Sequence, residues 1–260
     1  MLVPFVLASS FVAPAEAAPR AAPVEWTVAG APYSGFVVYD DASTVKRPGV
    51  VMIPNWMGVN AAAVEKAKTI AGTEYVVLLA DVYGAEVRPA DPKEASEAAA
   101  ALYADRPALR ARAKAAVDTL VAQAGKVPLD ASKVGAIGFC FGGSAVLELA
   151  RSGADLDAFV SFHGGLATPA PAAKGAVKGP VLVLNGAADA NVKPEDIAAF
   201  RKEMTDAGAD WQLVDFGGAV HCFAEPDANR PPNCLYDAKA ARRAFGMMEL
   251  MFDEAFAPAR

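Results

Sequence analysis

Three residue types capable of nucleophilic chemistry stand out in this chain: one cysteine at a sharp turn, one histidine, and one aspartate. Cys140 sits in Val134-Gly135-Ala136-Ile137-Gly138-Phe139-Cys140-Phe141-Gly142-Gly143. An apolar run there ends at a Gly-x-Cys-x-Gly turn, and a helix-like stretch, Ser144–Ala150, follows. Strand, turn and helix with the nucleophile at the apex is a nucleophile elbow, here with Cys in place of Ser. The glycines two residues to either side have a steric purpose, because a Cβ at either position would crowd the crossing strand and helix. A helix N-terminus behind the sulfur favours negative charge there. The plainer reading is a Gly-rich turn holding a buried Cys.

A thiol needs a base within hydrogen-bond reach, and the base needs an orienting carboxylate. The chain contains 2 histidines. His221 follows the last expected strand and Asp189 the strand before it, so Cys140, Asp189 and His221 occur in the order nucleophile, acid, base. Glu195, Asp196 and Asp215 compete for the acid's place. The first two open a helix, where acids are ordinary, and Asp215 lies within a strand. His163 comes too early for the base and is assigned to the substrate pocket. The oxyanion of acyl transfer needs backbone N–H donors. Phe141, next after the nucleophile, supplies one. Trp56, in the loop Pro54-Asn55-Trp56-Met57-Gly58, supplies the other.

The elements that must bring these residues together are legible as alternating apolar runs and helical patterns. Val24–Ala29 and Tyr33–Asp40 alternate across Gly30-Ala31-Pro32 and predict an antiparallel N-terminal hairpin. Pro48–Ile53, Tyr75–Leu79, the elbow strand, Ala158–Phe162, Val181–Leu184 and Trp211–Phe216 read as strands, mostly buried on both faces. Helices are expected at Ala61–Ala71, Pro92–Tyr103, Pro107–Gln123, after the elbow, at Pro194–Ala207 and at about Tyr236–Phe256. This alternation predicts an α/β domain over residues 18–260, with a mainly parallel sheet covered by helices on both faces. Sites in such sheets lie beyond the strands' carboxyl ends, where every candidate above falls.

Bulk properties narrow the function further. Hydrophobic content of 54% suffices for a large core, and a net charge of −6 with scattered Lys and Arg argues against nucleic-acid binding. Neither a bilayer-spanning stretch nor a metal-ligand or phosphate-loop motif occurs, so no cofactor, no metal and no membrane partner is expected, and the chain reads as a monomer. Leu2–Phe11 followed by Ala15-Glu16-Ala17 resembles a secretory leader over residues 1–17, although a basic start is missing. A leader implies a periplasmic or secreted protein, and without one the protein is cytoplasmic. In an oxidising compartment Cys222 and Cys234, which flank a Pro- and Asn-rich loop, are candidates for a disulfide; two free thiols are the alternative.

Taken together, Pro54–Asn60, Asp81-Val82-Tyr83-Gly84, Gly138–Gly143, Gly186–Asp189 and His221-Cys222-Phe223 resemble the dienelactone hydrolase family. The resemblance implies an α/β-hydrolase fold and hydrolysis of lactones or small carboxylic esters through a thioester acyl-enzyme. The founding type of that family carries a Glu at the position of Asn55 that pairs with the resting thiol. Here either His221 alone forms the thiolate, or Glu86 fills in, or activity is low. Its two substrate-binding arginines align with Ala85 and Glu225. Arg88 is the nearby substitute, and Glu225 would repel an anion, so a neutral ester or lactone is the expected substrate. Asn55, Tyr83, Arg88 and His163 are the expected pocket residues. The competing reading, motivated by Asn55, is a weak or inactive binding or redox-sensing protein on the same scaffold.

Overall fold

The computed structural model describes residues 19–258, and the leader expected at residues 1–17 lies outside them. Strands β1 (Arg20–Val28) and β2 (Ala31–Tyr39) form the expected antiparallel hairpin. Its turn sits one step earlier than the Gly-Ala-Pro segment implied, at Ala29-Gly30. Both turn residues have positive φ, 49° and 82°, the two-residue geometry whose twist matches that of the flanking strands. Because β1 is an edge strand, Pro23 costs it no ladder bond, and pairing runs back to Arg20.

β3 (Arg47–Ile53), β4 (Val76–Leu79), β5 (Leu129–Phe139), β6 (Ala158–Phe162), β7 (Val181–Gly186) and β8 (Trp211–Phe216) complete an eight-stranded sheet in the order β1-β2-β4-β3-β5-β6-β7-β8. Every pairing from β4 through β8 is parallel. Side chains alternate faces along a strand, so β3 sends Val51 and Ile53 to one core and Val50 and Met52 to the other. That is why these strands are apolar throughout.

Helices α2 (Pro92–Ala104), α3 (Arg106–Val121), α4 (Phe141–Arg151) and α5 (Pro194–Ala207) contribute to the first core. α1 (Ala61–Ala71) and α6 (Ala238–Ala255) contribute to the second. Helix α4, which follows the elbow, is buried along its whole length. Its two charges are matched internally: Glu148 lies 2.7 Å from Arg110 and 3.1 Å from Arg151, and Arg151 reaches Glu203 at 2.8 Å. Buried charges must be paired in this way to be tolerated, and the network pins the helix that carries the elbow. The fold is the α/β-hydrolase type: a mainly parallel sheet with helices on both faces and an antiparallel N-terminal hairpin.

Candidate active site

Cys140 joins the end of β5 to the start of α4 with φ 54° and ψ −117°. A non-glycine residue held at such a φ stores on the order of 1–3 kcal/mol of strain and persists only where its surroundings enforce it. The glycines provide the room. A Cβ at Gly138 would run into the backbone carbonyl of Gly142, and one at Gly142 into the carbonyls of Ile53 and Pro54 at the end of β3. The Cys140 amide donates to the Phe162 carbonyl at 3.0 Å, tying the elbow to β6.

Residues 81 positions apart meet here. His221 Nε2 lies 3.0 Å from Cys140 Sγ, and His221 Nδ1 lies 2.7 Å from Asp189 Oδ2. The Asp189 carboxylate is fully buried and the His221 ring is 13% exposed. Burial by itself lowers the proton affinity of His221, but hydrogen bonds to Asp189 and Cys140, with the charge on each, outweigh it and raise the pKa to about 10. The rival acids are placed elsewhere. Glu195 and Asp196 occupy the first turn of α5, and Asp215 accepts from Asn185 Nδ2 at 2.8 Å.

Among the described residues, neither the Trp56 nor the Phe141 amide donates to a protein acceptor. Trp56 and Cys140 line a common cavity of about 860 Å³ with Asn55, Tyr103, Asn191 and His221. The far wall is a segment expected to be an irregular loop. It contains a two-strand ribbon, β9 (Asn229–Arg230) with β10 (Cys234–Leu235). Cys222 and Cys234 are joined in a disulfide, with Cα atoms 5.0 Å apart, and Leu235 N donates to the His221 carbonyl at 3.1 Å. Arg230 from this ribbon reaches over Trp56, 5.9 Å from the ring centroid.

Three of the expected pocket residues do not line the cavity. The Arg88 guanidinium is spent on the scaffold: it bonds the buried Asp81 at 3.1 Å, the Gly84 carbonyl at 2.7 Å, and the carbonyl and hydroxyl of Ser34 at 3.0 and 2.8 Å. Replacing Arg88 with Ala should therefore cost stability, on the order of 1–3 kcal/mol for an unmade buried charged contact. Thermal melting should register that loss, while KM for a small ester stays unchanged. Tyr83 is buried and its hydroxyl donates to the Trp56 carbonyl at 2.9 Å. Burial raises its pKa above the ordinary phenol value, so it remains a neutral donor. Its place is under the loop that follows β3 rather than in the cavity wall.

His163 is completely buried, with φ 40° and neither ring nitrogen bonded. Its ring stands edge-on to His221 at 5.1 Å. Burial, then the nearby positive charges of His221 and Lys66, hold its pKa well below the ordinary value, so it is a neutral packing wall behind His221. Glu86 is exposed. Glu225, expected to repel anions, is instead buried in an ion pair with Lys66. Tyr103 is the residue that sequence reading passed over. It ends an unremarked helix face, yet its ring lies 5.4 Å from Phe141 and its hydroxyl donates to Ser144 at 3.1 Å.

A family model described as the dienelactone hydrolase family matches residues 34–256. Among curated proteins the chain is 29% identical, over 72% of its length and 79% of the relative's, to a probable 2-oxo-3-(5-oxofuran-2-ylidene)propanoate lactonase of a Bradyrhizobium species. Among solved structures it is similar to the dienelactone hydrolase-like promiscuous phosphotriesterase P91 from metagenomic libraries. That similarity has 38% identity and a TM-score of 0.84, and it covers 92% of this chain and all of that one. Esterase 2 of Thermogutta terrifontis, at 19% identity and a TM-score of 0.61 over 95% and 98% of the two chains, shares the fold.

Proposed function

We propose that this chain, which belongs to the dienelactone hydrolase family and is a hydrolase, cleaves carboxylic esters or lactones at Cys140, with His221 and Asp189 completing a catalytic triad. The observation that carries this reading is the continuous line of contacts from Cys140 Sγ through His221 to Asp189, at 3.0 and 2.7 Å, with Cys140, His221 and Trp56 in the wall of one cavity. The sulfur attacks the carbonyl carbon, and the carbonyl oxygen gathers charge against the N–H groups of Trp56 and Phe141. His221 gives its proton to the departing oxygen as the C–O bond breaks, leaving a thioester. In a lactone that oxygen stays tethered to the acyl group. Water then gives a proton to His221 while adding to the thioester, and the acid leaves as the proton returns to sulfur. Asp189 stays ionised and keeps His221 Nε2 turned toward the sulfur.

With Arg88 committed to the scaffold and Glu225 to Lys66, the other charged side chains of the cavity wall are Arg230 and Asp227, one of each sign, and a neutral substrate suits it. Likeness to a promiscuous phosphotriesterase at 38% identity makes a neutral phosphate triester the second substrate class, attacked at phosphorus by the same sulfur. Export from the cytoplasm is supported by the Cys222–Cys234 bond, since disulfides persist in oxidising compartments.

Mixing the protein with 4-nitrophenyl acetate, quenching in acid and mapping peptides by mass spectrometry should find one acetyl group, on the peptide bearing Cys140, with a matching burst of nitrophenolate. A panel of esters, lactones and triesters that yields neither burst nor adduct would favour the binding or redox-sensing alternative.

A further inference from the structure

We propose that Glu225 is a positioning residue for the oxyanion loop, acting through Asn55, and that Lys66 serves to cancel its charge beside the developing oxyanion. This rests on the reading of the Trp56 N–H as an oxyanion donor. The loop after β3 is held at several points. Gly58 N donates to the Asn55 carbonyl at 2.9 Å, Met57 N donates to Asn55 Oδ1 at 3.0 Å, and the Tyr83 hydroxyl holds the Trp56 carbonyl. These contacts commit the amides on the far side of Trp56 and its carbonyl, and leave its N–H free.

The Asn55 side chain is the keystone of that turn, and it works only in one orientation. Its oxygen must face the Met57 amide, so its NH₂ must face an acceptor. Glu225 Oε1, at 3.3 Å from Asn55 Nδ2, is that acceptor. A carboxylate can only accept, so it selects this orientation of the amide and rejects the flipped one.

A buried carboxylate next to an oxyanion would oppose catalysis unless neutralised. Glu225 is 6% exposed. Its other oxygen pairs with Lys66 Nζ from α1, and that ammonium lies 4.2 Å from the centre of the Phe139 ring. His163 Nε2 stands 3.9 Å from Glu225 Oε1, but His163 is held neutral by burial and supplies no charge. Among the described residues Lys66 is thus the one cation paired with Glu225. Of the other charged groups nearby, Glu65 on α1 is bonded to Lys68, Asp227 follows on the same loop, and His221 faces Cys140 and Asp189.

Steady-state kinetics on 4-nitrophenyl acetate, with melting curves for each variant, tests this assignment. Asn55→Ala should lower kcat by roughly 10- to 100-fold, less than the 10²–10³ for outright loss of an oxyanion donor, with KM little changed. Lys66→Met, which strands the carboxylate, should lower kcat at least about 10-fold. Adding Glu225→Gln to Lys66→Met keeps an acceptor for Asn55 without the charge and should recover most of kcat. Adding Glu225→Leu instead should leave kcat as low as in Asn55→Ala.

Equal activity of the Gln and Leu double variants, or wild-type kcat in Asn55→Ala, would overturn the assignment. Should the Lys66 variants fail to fold, Asn55→Ala decides alone, because its half-buried side chain lies in the cavity wall. Normal kcat in these variants with Cys140→Ala inactive would remove this proposal and leave the catalytic reading standing. Activity surviving in Cys140→Ala would remove both.

Discussion

Cys140→Ala lowers kcat/KM for 4-nitrophenyl acetate at least ~10⁴-fold, to the level of the imidazole and oxyanion donors acting on water alone. Among the described residues, the sulfur is the one cavity atom that both touches His221, at 3.0 Å, and sits at the N-cap of α4. With it gone, no side chain in line with the base can form the acyl intermediate. The substitution changes little else. Alanine adopts the positive φ of the elbow with the strain that cysteine already bears, and the removed atom faces the cavity rather than the core. The melting temperature should therefore stay within a few degrees, and circular dichroism should be unchanged. Cys140→Ser separates two roles of the sulfur. It keeps a nucleophilic atom in place but presents a hydroxyl that His221 must deprotonate in the transition state, so it should fall between wild type and Cys140→Ala. Full activity in Cys140→Ala, with the protein folded, would place the chemistry elsewhere and return the cavity to a binding role.

Local signals carried much of this arrangement into the sequence. The span of α1 is readable because Asn60 caps it, accepting from Ala63 N. Likewise α5 lies between Pro194 at its first turn and Gly208, which ends it at φ 67°. The elbow is legible for the same reason: its glycines answer to backbone collisions within the same few residues and the adjoining end of β3. Contacts between distant segments are another matter. Arg88 looks like an available cation until Ser34, 54 residues earlier, is brought against it. Glu225 looks like an obstacle to anions until Lys66, 159 residues away, neutralises it. The β9–β10 ribbon has a composition typical of irregular loops, and its order comes from the Cys222–Cys234 bond and the contact of Leu235 with His221. Residue type and spacing thus picked out three side chains, Cys140, Asp189 and His221, that the fold brings into contact. Which charges remained free to meet a substrate was decided by tertiary pairing.

Asp189→Asn should be nearly as damaging as loss of the sulfur, at about 10⁴-fold in kcat, for a reason specific to this loop. Asp189 uses both oxygens: Oδ1 accepts from Asn191 N at 2.8 Å, and Oδ2 faces His221 Nδ1 at 2.7 Å. An asparagine has a single oxygen. Facing Asn191 with it would turn the NH₂ toward His221, force the ring proton onto Nε2, and abolish acceptance from the thiol. Facing His221 with it would set two N–H groups against each other at Asn191 and still remove the charge that favours the imidazolium. The same change should alter pH behaviour. Folding raises the His221 pKa from the ordinary 6.5 to about 10, against the opposing effect of burial, through its bonds to Asp189 and Cys140. The resulting stabilisation is fully present below pH 6.5 and is lost as pH rises through about 10. Wild-type melting temperature should therefore decline across that interval, and kcat/KM should fall near pH 10 as His221 loses the proton that the leaving oxygen requires. In Asp189→Asn the decline in melting temperature should flatten and any residual activity should fall off at lower pH. Identical pH profiles for wild type and variant would show that Asp189 does not govern the protonation of His221.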